Sequence, residues 1–384
     1  MNNNQTSQAS RERVTGQSNS QLCRKIGVIK LAIDVHAAKY KVSRQLGDLP
    51  LQPVQTFSPE GFLEFARKQV HLADKVYSCY EAGPTGFWMH RRLVELKVDN
   101  KVVVPENLDT YGRGVNNDRT DARKLGSKLN RYVAGDKQAM AVVHVPSLEA
   151  EQRRALSRQR KQFGKVVQSL AAMGRGLALL HGYRLLGPWW RPRQWEKWQT
   201  QLPAWMVEHL DRFRPTMNEA EKALLALQVA IRQAGPQELP YGFGAITLEG
   251  IEREVLDWSR FKNRKQPGSY VGLCGGVADS GQQRADLPIT KHGNRRLRAM
   301  LIELAWRVVW YQPDCHAVGP WKAIFQNPRS HARRRKQAIV AVARRLMVDL
   351  WRWKTGRATA QDLGWVMKSL PVSKTPRAKS KKTK

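Results

Sequence analysis

Asp34, Glu81, Asp118 and Asp121 are the side chains of this sequence best placed to do chemistry. Asp34 follows the apolar run Ile26 to Ile33, Glu81 follows Lys75 to Tyr80, and Asp118 with Asp121 lies just beyond a third such run. Carboxylates set at the ends of successive strands are hard oxygen ligands for Mg²⁺, which stabilises charge on a phosphoryl oxygen. Singly, each acid has an ordinary explanation: Asp34 ends a strand, Asp118 caps a helix and Asp121 sits in its first turn. In this order, and in a strongly basic chain, the set points to phosphodiester chemistry. Asp118 and Asp121 are three residues apart and share a helical face, so both can address one ion. Glu81 precedes Ala82-Gly83-Pro84-Thr85-Gly86, a turn that frees the carboxylate from the sheet and starts the next helix.

A second constellation is Ser280-Gly281, in a polar loop Asp279 to Gln283 between Gly275-Gly276 and a basic helix. A serine attacks only when its proton is removed and cations stabilise the attacked phosphate; a Ser-Gly pair is otherwise a turn. Downstream, Lys291 and Asn294 precede a helix opening with Arg295, Arg296 and Arg298. Amides at a helix N-terminus together with arginines form a phosphate site.

The composition favours a polyanionic partner. There are 66 Lys and Arg against 32 Asp and Glu, a net charge of +34 on 384 residues, spread along the chain. A hydrophobic content of 41% supports ordinary cores. No apolar run approaches the roughly 20 residues of a membrane span, and Asn2 to Ser20 is polar, so the expectation is a cytoplasmic protein bound to the nucleoid. Cys23, Cys79, Cys274 and Cys315 lie far apart, as buried or idle thiols.

The elements that must hold these residues are α/β from 26 to 146. Strands are expected at 26–33, 40–44, 51–57, 75–80, 101–105 and 138–145, and helices at 59–69, 84–97 and 119–134. Ser58 and Pro59 fix the first helix start. Residues 147–235 read as a helical coiled-coil arm: Phe163, Val166, Leu170, Met173, Leu177 and Leu180 form one seam, and Met217, Ala220, Leu224, Leu227 and Ile231 another. Thr216 and Glu219 make a capping box for the second. Between the seams, Trp189, Trp190, Trp195, Trp198 and Trp205 alternate with basic residues; a hydrophobic cap or an oligomer contact explains so many indoles better than base stacking. Residues 236–365 form a mainly α-helical region interrupted by glycine. The ends, 1–25 and 366–384, are expected to be disordered, the latter a basic tail for phosphate contact.

The runs Cys79 to Gly86 (CYEAGPTG) and Asn117 to Leu125 (NDRTDARKL), with Asp34 upstream and SYVGL, SG and ITKHGNRRLR downstream, resemble the DEDD transposases of bacterial insertion sequences, relatives of the Piv invertase. The resemblance covers about residues 26 to 355. It implies an RNase H-like (RuvC-like) N-terminal domain, a coiled-coil arm and a C-terminal transposase domain. By the same resemblance Asp34, Glu81, Asp118 and Asp121 would hold Mg²⁺, Ser280 would be the nucleophile, and Gly281 would let the DNA backbone approach. It further implies a noncoding bridge RNA that pairs with donor and target double-stranded DNA, with active sites shared between subunits of a homo-oligomer, a dimer of dimers. The chain departs from the family's pattern at Tyr241-Gly242-Phe243-Gly244, where relatives carry a clearer hairpin motif, and at Asp279-Ser280, where they carry two serines. Two other readings stand beside this one. A Holliday-junction or structure-specific nuclease of the RNase H class needs the carboxylates but no serine; an architectural nucleic-acid-binding protein needs neither.

Overall fold

Alternation of buried side chains decides how the N-terminal part is built. The computed structural model describes residues 25–105, 118–280 and 283–369 and divides into two units, 1–145 and 146–384. In the first, β1 (Ile26–Val35), β2 (Tyr40–Leu46) and β3 (Gln55–Phe57) form an antiparallel meander. Then follow α1 (Pro59–Leu72), β4 (Ala73–Glu81), α2 (Trp88–Glu95), β5 (Asp99–Val103) and α3 (Asp118–Val133). The sheet order is β3-β2-β1-β4-β5, with β4 parallel to β1 and β5 parallel to β4. Ile29, Leu31 and Ile33 of β1 enter a core with Phe62 and Ala66 of α1 and Met89 and Leu93 of α2. The intervening Ala32 enters a second core with Cys79, Leu125, Leu129 and Met140. Side chains of a strand alternate between faces, so a nearly continuous apolar run marks a strand covered on both sides.

Two expected strands are shorter than their apolar runs. Pro53 has no N–H for a ladder, and only Gln55 to Phe57 of the third run pairs. The 138–145 run makes one bridge, Val142 to Val103, at the edge of β5, where Pro105 ends pairing. Ser58 caps α1 as expected, its Oγ accepting from Gly61 N at 3.1 Å.

The second unit opens with α4 (Leu148–Leu180), the tip helices α5 (Pro192–Trp198) and α6 (Ala204–Asp211), and α7 (Arg214–Gln233), which packs along α4. The buried stripe of α4 is Val167, Ala171, Gly174 and Ala178, rotated from the expected seam, and Met173 and Leu180 are 55% and 81% exposed. The rotation follows from an indole: a Cβ at Gly174 would lie 2.3 Å from Trp189, so the small residues form the bed on which the ring rests. Trp189, Trp190 and Trp195 are buried at this tip, as a hydrophobic cap requires, whereas Trp205 is 43% exposed. The expected capping box is not formed. The second arm helix starts earlier, at Arg214 behind Phe213, which leaves Thr216 and Glu219 inside it.

Beyond the arm come β6 (Glu238–Pro240), α8 (Ala245–Val255), α9 (Lys265–Tyr270), β7 (Gly275–Ser280), β8 (Gln283–Ile289), α10 (Arg295–Tyr311), α11 (Lys322–Gln326), α12 (Ala332–Lys354) and β9 (Met367–Ser369). One core joins Leu248 and Ile251 of α8, Leu297, Leu301 and Leu304 of α10, and Val342, Leu346 and Leu350 of α12. Strands β6 and β9 pair antiparallel, as do β7 and β8. The arm is tied to this core through charge. Glu254, 7% exposed, takes Arg158 at 3.5 Å and Arg154 at 4.0 Å, while Arg253 donates to Arg153 O at 3.0 Å. The terminal stretches expected to be disordered lie outside the described residues, apart from Lys25 and 366–369.

Candidate active site

Register brings the first two carboxylates together. Ile33 of β1 pairs with Tyr80 of parallel β4, so the next residues, Asp34 and Glu81, stand side by side where both strands end. They share the face of Ala32 and Cys79 and oppose that of Ile33 and Tyr80. That face is covered by α3. A Cβ on Gly126 would lie 3.6 Å from that of Ala32, and Lys30 Nζ donates to Asn130 Oδ1 at 2.6 Å. Helix α3 therefore runs opposite to β1, and its first turn, with Asp118 and Asp121, lies toward the strand ends that carry Asp34 and Glu81. Asp34 is 24% exposed and its Oδ2 meets His36 Nε2 at 3.2 Å. The Cys79 thiol is pushed well up, first by burial and then by the charge of Glu81, as expected of a carboxylate on its side of the sheet.

Carboxylate oxygens are the donors a hard divalent cation takes, so the residue types fit Mg²⁺. Among the described residues no group of three or more His, Cys, Asp and Glu side chains gathers at one point. The Asp118 side chain lies outside the described residues.

Ser280 sits differently from the expected loop. It is the last residue of β7, paired with Gln283 of antiparallel β8. Its side chain and Gly281 lie outside the described residues. Of the expected phosphate contacts, Lys291, Arg295 and Arg296 are exposed. Two others make hydrogen bonds within the fold. Asn294 caps α10, its Oδ1 accepting from Arg296 N at 3.0 Å and Leu297 N at 3.1 Å, and its Nδ2 donates to Glu254 Oε2 at 3.0 Å. Arg298 donates to Val271 O at 2.9 Å and Lys291 O at 3.0 Å. The loop they brace is tight: Gly293 has φ +119°, and a Cβ there would stand 2.3 Å from Tyr270 O.

Residues 239–318, from β6 through the hairpin to the turn after α10, match the family model of the IS116/IS110/IS902 transposases. The match marks a segment similar to the IS116/IS110/IS902 transposases. That segment contains Ser280 and Asn294 and none of the four carboxylates. Beyond it, the chain is 29% identical over 315 residues to the putative transposase y4rJ of Sinorhizobium fredii, covering 75% of this chain and 79% of that protein. It is 29% identical over 249 residues to the putative transposase y4qE of the same organism, covering 61% and 58%. With the transposase for insertion sequence element IS1111A of Coxiella burnetii it shares 22% identity over 238 residues, covering 57% and 62%. Among the described residues no helix is long and apolar enough to cross a membrane.

One arrangement within the segment's unit escaped the sequence reading. His316 Nδ1 lies 2.9 Å from the carboxylate of the fully buried Asp349, whose pKa burial raises and His316 partly restores. The two are 33 residues apart, and no local spacing signals their meeting.

Proposed function

We propose that this chain is the transposase of an insertion sequence, an RNA-guided recombinase that cuts and rejoins DNA strands. The observation that carries the reading is the parallel register of β1 and β4, which sets Asp34 beside Glu81 on the face where α3 begins with Asp118 and Asp121. The sheet order, an antiparallel meander continued by two parallel strands, supports an RNase H-like, RuvC-like domain. The match at 239–318 supports the transposase reading independently, through the other unit. In this proposal the four carboxylates hold Mg²⁺, which would stabilise charge on the attacked phosphate. Ser280 Oγ forms a new ester bond to phosphorus, the leaving DNA oxygen takes up a proton, and the ester energy is kept for rejoining to a second DNA end. Donor and target would be selected by pairing to a bridge RNA and not by protein contacts to bases. Joining four DNA ends requires more than one active site, hence a homo-oligomer, proposed as a dimer of dimers.

Ser280→Ala tests the chemistry. Wild-type protein on a substrate trapped midway should give a protein-DNA adduct that survives denaturant and disappears with protease. Ser280→Ala should bind nucleic acid normally and give no adduct. Cleavage at the wild-type rate by Ser280→Ala would make water the nucleophile and leave a structure-specific nuclease. Guidance is tested by stripping RNA from the protein: site-specific joining should be lost and return with the cognate transcript.

A further inference from the structure

The C-terminal unit contains a groove of about 1640 Å³. One wall is a face of α12 carrying Arg333, Lys336, Arg344 and Arg345, and the other is the base of the β7–β8 hairpin, with Gly275, Gly276 and Leu287. Arg264 and Lys265, at the start of α9, complete the lining cations. These six cations face one carboxylate among the described lining residues, the buried Asp349. Some surface arginines elsewhere have acidic partners, as Arg191 has Glu221 and Arg212 has Glu208. Among the described residues Arg264, Lys265, Arg333, Lys336 and Arg344 have none. Unpaired like charges repel one another, and an anion between them removes that cost.

The groove also contains a built element. Arg345 Nη2 donates to His316 O at 3.2 Å and stands 3.2 Å from His316 Nε2. A donor facing Nε2 places the imidazole proton on Nδ1, where it is given to Asp349. The buried carboxylate thus orients the ring, and the ring orients the guanidinium.

We propose that this groove binds the phosphodiester backbone of a nucleic-acid strand, with Arg345 held for phosphate contact by His316 and Asp349 as positioning residues. Its volume exceeds the roughly 300–1,000 Å³ of small-molecule pockets. Cations distributed along a helix face, over turns of about 5.4 Å, suit a linear polyanion. Gly275 and Gly276 keep the facing wall free of bulk, so a backbone can approach it. The inference rests on the reading of the chain as a nucleic-acid enzyme but on none of its catalytic residues.

The test is binding of the full-length chain, by fluorescence anisotropy across a salt series, to a labelled DNA duplex of arbitrary sequence and to a labelled RNA hairpin. Each lost phosphate contact should lower the slope of log K against log salt by about 0.9. Arg333→Gln/Lys336→Gln/Arg344→Gln should therefore lower it by about 2.7 on the duplex, the hairpin or both, and which probe responds identifies the strand. The control Arg193→Gln/Lys197→Gln/Lys222→Gln removes equal charge from the arm and should leave the slope nearly unchanged. Equal losses in both triple variants, or no loss in the groove variant, overturn the proposal. Arg345→Gln and His316→Ala should each lower the slope by about one unit, and the double variant by no more than either. Additive losses, or an unchanged slope in Arg345→Gln, overturn the positioning role. The Ser280→Ala adduct assay reads separately: slope losses without a wild-type adduct would sink the catalytic reading and leave the groove standing.

Discussion

The carboxylate edge of the N-terminal unit and the loop before α10 in the C-terminal unit both brought candidate residues to notice, and the structure treats them in opposite ways. At the sheet edge, Ile33 and Tyr80 are buried beneath the next residues of their strands, so Asp34 and Glu81 are carried by backbone already held by ladder bonds and core. Before α10 the opposite holds: Asn294 caps the helix and Arg298 braces the turn. At the first site the backbone is held by apolar neighbours and ladder bonds, and at the second by the polar side chains themselves.

The largest expected effect follows from the sheet edge. Asp34→Ala or Glu81→Ala should abolish strand exchange while nucleic-acid binding persists, because phosphate affinity resides in the basic residues. Excess chelator should do the same to the wild type, and undiminished recombination in chelator would break the metal assignment. At the arm tip, Trp189→Ala empties a fully buried site and should cost about 3–5 kcal/mol by thermal or denaturant unfolding. The salt slope of nucleic-acid binding should not change, since this indole packs on Ala171 and Gly174 and is unavailable for stacking.

Smaller still, Asn294→Ala should destabilise by about 1 kcal/mol through the lost cap, with the salt slope again unchanged. A slope that falls would return Asn294 to the nucleic-acid surface and weaken the contrast between the two regions. The last is a pH effect. Glu249 has its pKa raised, chiefly by burial and partly by Glu252, against the lowering influence of Arg253 and Arg153. A raised folded-state pKa means that this group's contribution is full below the ordinary carboxylate range and is lost as pH rises through the raised value. Glu249→Gln should therefore gain stability relative to wild type as pH increases from the acid side. A melting-temperature difference that is flat with pH would contradict this.

Much of the N-terminal fold was legible because its signals are local. The alternation in β1, the Ser58-Pro59 start of α1 and the acid following each strand depend on residues a few positions apart. The strand at 138–145 was misjudged because an apolar run reports burial and not partners; here the run lies at the edge of β5 and meets it at one bridge. In α7 the expected seam residues Met217, Ala220 and Ile231 are buried, whereas in α4 the buried stripe is rotated from the expected one. Trp189, which lies beyond the end of α4, rests on Gly174 and so sets which face is buried.

By itself the sequence determined the chemistry available: the carboxylates, their order along the chain, a serine beside glycine and a large positive charge. These depend on residue type and short spacing, which no packing can alter. The tertiary structure alone decided which residues meet, through the register that sets Asp34 beside Glu81, the direction of α3, the capture of Asn294 by α10, and the approach of Asp349 to His316 beside a basic groove. Such meetings depend on strand register, helix direction and the competition of each polar group for its nearest partner, and these are settled only when the whole chain packs.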